Sequence, residues 1–449
     1  MNEAERNHLI ELGPESLADA LLGLSIRNEA ANELVKRMVS KPNENIDRFK
    51  KGLSYLKTTK HFFPWRESGN VADQMLGLLD DLRAAKPEPK TGIKLLVSFY
   101  KADGAIFEKS DDSSGNIGDV FRHDAKDLFV LYASKCPDKK WLADLVLDLN
   151  RDDGYGIRDA LIQCAKDYLP EPVIREMIEH LWGLEAQAKD ESQKRHWLSI
   201  IQMLARQVKD GPLFEKARLA SWPDLSSAAC LDIAAVYLEC DKPSSALAWL
   251  DRVPEGETFR HDERDKLLLD TYRKLGDLGK QTEIAWRIFK RHRSEDTLSI
   301  LIGIIGPENR ARVVEEEART ILVSEKLSCT NAEFLIKTGR IDDAETYLLE
   351  RAGQLDGDRY GSLLPLAEAM EADKRSLAAT VIFRALLESI LKRAMSKYYH
   401  HGVRYLEKLD ELADRTPDWR EITPHGAYKD NLRRVHIRKV SFWSRYTGE

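Results

Sequence analysis

The second half of this chain is a run of paired-helix units recurring about every 33–35 residues, and that spacing constrains the fold more than any other feature. The clearest unit reads AACLDIAAVYLECDKPSSALAWLDRV. Leu231, Ala234, Ala235, Tyr237 and Leu238 recur at helical spacing, Asp241-Lys242-Pro243 breaks the pattern, and Ala246, Leu247, Trp249 and Leu250 open a second helix. Further units follow over Asp265–His292, at TLSILIGIIG with RARVVEEEARTIL, at TNAEFLIKTGRIDDAETYLLERA, and at LLPLAEAMEADKRSLAATVIFRALL. Tyr237 and Tyr272 are 35 residues apart, as are Ala344 and Ala379. Hairpins of this kind bury their small-residue faces only against their neighbours, so they stack into a solenoid. Such an array offers surfaces rather than a dedicated catalytic cleft.

The unit length and the small packing residues resemble tetratricopeptide hairpins, and they place such hairpins over residues 213–395. Residues 1–212 read as an irregular, HEAT-like helical half. Gly13-Pro14-Glu15-Ser16 signposts a first helix, with proline in its first turn. Helices follow over about 28–40, 44–57, 69–86, 91–107, 118–134, 138–149 and 157–168, and again between 172 and 208. The short apolar run Phe62-Phe63-Pro64-Trp65 reads as a plug between flanking helices, because Pro64 forbids regular continuation. Strict two-residue alternation is scarce, so no sheet is expected. The fold class is therefore an all-α, right-handed α–α superhelix, closed by C-terminal helices over 396–449.

Composition fits that picture. Of 449 residues, 32% are charged and 43% hydrophobic, which suits amphipathic helices. A net charge of −6 gives no global electrostatic case for nucleic acid. No apolar run reaches the roughly 18 residues of a membrane span, and the charged start MNEAERNHLIEL lacks the order of a signal peptide. Five dispersed cysteines without a C-x-x-C pair read as reduced, mostly buried thiols of a cytoplasmic protein.

Several stretches together resemble a family of bacterial helical proteins known only as a domain of unknown function. They are Phe107-Glu108, Asp111 to Gly115, Ile117 to Arg122, Asp153-Gly154-Tyr155-Gly156, His400 to Leu409 and His436 to Trp443. The last part is also similar to the helical C-terminal region of SWIM zinc-finger proteins. The zinc-ligand pattern of those proteins is absent, so no metal carries over. The resemblance implies a bacterial, cytoplasmic setting and no particular activity.

Two acidic glycine loops stand out: DDSSGNIGD at 111–119 and DDGYGIRD at 152–159, their double aspartates 41 residues apart. The ordinary reading is helix capping, since Asp and Ser before a helix satisfy its free N–H groups. The sharper one is a shared pocket for a divalent cation or basic ligand, built from Asp111, Asp112, Asp119, Asp152 and Asp153, with Arg122 and Tyr155 nearby. Neither loop has EF-hand ligand order.

From Arg420 to Glu449 seven Lys/Arg face three acids, with aromatics interleaved. Lys429, Arg433, Arg434, Arg438, Lys439 and Trp443 form a candidate surface for single-stranded nucleic acid. The ordinary reading is a terminal cap, with Tyr428, Leu432 and Val435 packed on the last hairpin. Adjacent His400-His401 read as core or surface residues rather than ligands. P-loop, dinucleotide, H-E-x-x-H and G-x-S-x-G motifs are missing, so neither an enzyme nor a cofactor is expected. The favoured reading is a non-catalytic scaffold whose groove takes a protein or peptide partner through Tyr237, Glu239, Tyr272, Lys274 and Lys337.

Overall fold

The computed structural model describes residues 3–151 and 153–448. They are helical almost throughout, and among them no β-strand forms; Phe63 and Ser110 make an isolated bridge. The all-α helical-repeat class holds. Helices pack against their sequence neighbours in two compact units, Met1–Phe259 and Arg260–Glu449. No helix among the described residues is long and apolar enough to cross a membrane.

In the first unit a helix not anticipated from sequence, Glu3–Glu11, precedes the proline-led helix Gly13–Ser25. The next, Glu29–Val39, starts where Asn28 accepts a hydrogen bond from the Ala31 N–H at 3.1 Å. None of these three helices has a buried residue. The core begins at Phe49 on Pro42–Thr58 and continues through Phe99, Phe121, Phe129 and Trp197. The helix expected over 91–107 splits into Pro89–Tyr100 and Asp103–Phe107. The plug is half realised: Phe63 is buried and pairs its backbone with Lys109 and Asp111 at 2.8 and 2.9 Å, while Phe62 and Trp65 are exposed.

The hairpin array is present. Its pairs are Ser227–Glu239 with Pro243–Leu250 in the first unit, and in the second His261–Leu275 with Leu278–Arg291, Glu295–Ile305 followed by Arg310–Leu322, Cys329–Lys337 with Ile341–Glu350, and Tyr360–Ala372 with Ser376–Lys392. Ser226, Asp277, Ser294 and Ser328 each cap a helix through the N–H three residues on. Within the hairpin turns the backbone becomes left-handed at Asp241, Gly276, Gly339 and Lys374, with φ between 56° and 78°. The repeat is thus stamped on the backbone as well as on the apolar pattern. The boundary read at 212/213 falls in the first turn of helix Gly211–Ser221, and that at 395/396 in the link after helix Ser376–Lys392. Burial raises the thiol pKa of Cys164 to about 12, and all five cysteines are free.

At Gly339 the φ of 78° penalises any side chain although space for one exists. Gly339→Ala is expected to destabilise the second unit by about 1–2 kcal/mol, read as a lower urea midpoint at unchanged slope.

Candidate functional site

The best-formed cleft lies wholly in the second unit, among helices Tyr360–Ala372, Ser376–Lys392 and Tyr399–Asp414, and encloses about 610 Å³. That volume falls within the roughly 300–1,000 Å³ usual for ligand sites. Its floor is apolar: Phe383, Leu386 and Ile390 are buried and Leu364 is partly so. One wall is the Gly357-Asp358 loop. A Cβ on Gly357 would stand 2.0 Å from the Ala385 carbonyl oxygen, so only glycine lets the loop lie this close to the helix. Asp358 then accepts from the Ser389 hydroxyl and pairs with Arg393 at 3.2 Å.

The opposite wall comes from one face of Tyr399–Asp414, where His401, Arg404, Tyr405 and Lys408 line the cleft while Val403, Leu406 and Leu409 pack inward. Lys408 is held by Glu371 at 3.2 Å and Glu411 at 2.8 Å. Arg404 and Glu368 are both exposed and make no ion pair among the described residues. Burial, the adjacent His400 and Arg404 together lower the pKa of His401 below the usual imidazole value, so at neutral pH it is an uncharged donor and acceptor. Burial raises the Tyr405 phenol against the opposing charge of Arg404, with Glu368 adding to the rise. The cleft therefore combines a greasy floor, a neutral imidazole, a phenol and rim charges of both signs. A slightly larger opening of about 670 Å³ in the first unit has its guanidinium, Arg37, already bound to Asp81 at 3.0 Å.

The acidic loops are occupied by their own backbone. Asp112 accepts from the N–H groups of Ile117 and Gly118, both at 2.9 Å, and Asp153 from Tyr155 at 3.2 Å and Arg158 at 2.8 Å. Asp111 accepts from the Ser113 hydroxyl and N–H, which lower its carboxyl pKa. Asp119 stands 4.0 Å from His123, and Asp152 lies outside the described residues. The second loop instead meets the short helix Asp103–Phe107, through the Phe107 and Tyr155 rings stacked at 4.6 Å and through Arg158, which reaches the buried Asp103 in a fork at 2.6 and 2.8 Å. The described carboxylates of these loops make no cluster suited to a cation.

The other candidates are scattered. Tyr237 is buried, its hydroxyl donating to Glu215 at 2.5 Å, and so offers no open face to a partner. Glu239 is exposed and forked to Arg206. Tyr272 is half-buried, Lys274 is exposed, and Lys337 is paired with Glu333 at 2.6 Å. At the C-terminus Trp443 is only 9% exposed and donates to the His436 carbonyl at 3.0 Å, so it is not a stacking platform. Lys429 is bound to Asp410 at 2.7 Å and Arg434 to Asn431 at 2.9 Å. Arg433 lies 5.8 Å from the Trp443 ring, Arg438 is exposed and Lys439 partly so. Tyr428 and Leu432 pack as expected of a cap. Val435 instead is 62% exposed, because its helix ends there and the following turn sends Phe442 inward against Tyr399.

Fold and cleft together define an all-α helical-repeat protein with a mixed apolar and charged recess. By sequence the chain belongs to a family of unknown function, DUF6880, whose model matches residues 2–220 and 224–445. No curated protein matches it.

Asp410 fastens the C-terminal helices to Tyr399–Asp414, accepting from His425 and Lys429 at 2.7 Å and from the Tyr446 hydroxyl. Burial alone would raise its carboxyl, but the Lys429, Tyr446 and His425 contacts outweigh burial and lower it. A lowered folded value stabilises above the ordinary carboxylate pKa of about 3.9, and the contribution disappears as pH falls through the folded value. Asp410→Asn should cost about 1.5 kcal/mol near neutrality and nothing at the acid end, with faster hydrogen exchange confined to 425–447.

Proposed function

We propose that the protein is a non-catalytic helical-repeat binder that takes a protein partner by a short peptide segment seated in the cleft of the second unit. The observation that carries this reading is the apolar floor of Phe383, Leu386 and Ile390 beside the unpaired Arg404. A floor of that kind gains free energy by burying one apolar or aromatic side chain, at about 25 cal/mol per Å² removed from water. An exposed guanidinium at its edge selects a neighbouring carboxylate, and Glu368 favours a cation further along the segment. The occupant is therefore a peptide with a large apolar anchor beside an acid.

Nucleic-acid binding by the C-terminal helices is less supported, because Trp443 is buried and Lys429 is committed to Asp410. In the acidic loops Asp112 and Asp153 are engaged as caps. On the family resemblance we place this binder in the bacterial cytoplasm, and the similarity of its last helices to the SWIM-protein helical region belongs to the same proposal.

Panning a random peptide display library on the full chain tests the reading. Enriched peptides should share an aromatic or long aliphatic residue next to Asp or Glu and bind in the micromolar range. Arg404→Glu should weaken them at least tenfold, about 1.4 kcal/mol, with unchanged circular dichroism. Equal binding to wild type and Arg404→Glu would overturn it.

A further inference from the structure

We propose that His261, Asp262 and His292 bind a divalent transition-metal ion, zinc by their donor set, at the open end of the first hairpin of the second unit. His261 and Asp262 lie in the first turn of helix His261–Leu275, and His292 follows the last residue of helix Leu278–Arg291. The tight turn at Gly276-Asp277 folds the two helices back on each other, which brings the start of one beside the end of the other.

One donor atom from each residue lies within 4.8 Å of the other two. Asp262 Oδ1 stands 3.6 Å from His261 Nε2 and 3.2 Å from His292 Nε2. In a tetrahedral site with bonds of about 2.0–2.1 Å, neighbouring donors stand about 3.3 Å apart, so these two separations bracket the required one. The third side closes by rotating rings that are partly exposed, His261 at 39% and His292 at 55%. Two imidazoles and one carboxylate leave a fourth position for water. Nitrogen donors select zinc and its neighbours over calcium and magnesium, which take oxygen.

The competing group is Arg291, whose Nη1 is 3.3 Å from Asp262 Oδ1. The same nitrogen is 2.6 Å from Oδ2 of the buried Asp265, which Arg287 also holds. Arg291 therefore stays anchored when an ion takes Asp262. Its charge beside the site weakens binding, which sets the expected dissociation constant in the micromolar range. The ion would tie the two ends of the hairpin together. None of the three ligands lines the peptide cleft, so the site stands independently of it.

The test is a cobalt(II) titration of the metal-stripped full chain, followed by visible absorption and then displaced with zinc. One equivalent should bind with the intense bands of four-coordinate cobalt, and zinc should release it. His261→Ala and His292→Ala should each weaken binding at least tenfold, and Asp262→Asn should do so while preserving shape. His180→Ala should bind as wild type. Metal-free melting curves that match wild type show the variants are folded. No saturable uptake, or uptake unchanged in all three ligand variants, overturns the proposal.

Discussion

The shortest helices of the array are too short to stand alone. Pro243–Leu250 has eight residues and Cys329–Lys337 nine, below the roughly 12–15 at which an isolated helix becomes even marginal in water. Each exists because a neighbour covers its apolar face. Fully buried alanines, Ala332, Ala344, Ala378 and Ala379, let the backbones approach, and larger side chains fill what remains. Tyr347 shows the economy of this packing: its ring is buried, while its hydroxyl donates to the Lys326 carbonyl and accepts from the Ser328 N–H. The turn conformation enforces the same condition, since a left-handed residue between the two helices of a pair sets the angle at which the second returns.

This is why so much of the second half was legible in sequence. Small residues at fixed intervals and a turn every 35 residues are local signals, and both survive in the structure at Asp241 and Gly276 and again at Gly339 and Lys374. Where the signal was ambiguous, the reading slipped. Thr91 to Phe107 carries one apolar pattern, yet the chain turns at Lys101-Ala102, because Ala102 is drawn into the core and Asp103 must meet Arg158. Val435 has the spacing of a buried residue, but its helix stops before that face can be covered.

The sites were hidden for a different reason. The cleft takes residues from a loop and three helices between Gly357 and Lys408, and no single stretch carries its signature. The nearest thing to one is the polar and aromatic stripe of His401, Arg404, Tyr405 and Lys408 between inward-facing leucines. His261 and His292 are 31 positions apart and meet only because the intervening hairpin closes. The acidic loops, conspicuous in sequence, are conspicuous because two loops solve one local problem. Asp112 and Asp153 each draw a glycine-containing turn shut onto the helix that follows.

The seating of Gly357 against the Ala385 carbonyl has an evolutionary corollary. Charges around the recess can be exchanged one at a time, because each is a side chain on a settled backbone. The wall itself rests on the absence of a single carbon atom. Glycine at this point is what lets the loop form the wall, whatever the side chains at the rim. Any larger residue there would push the loop away from the Ala385 carbonyl.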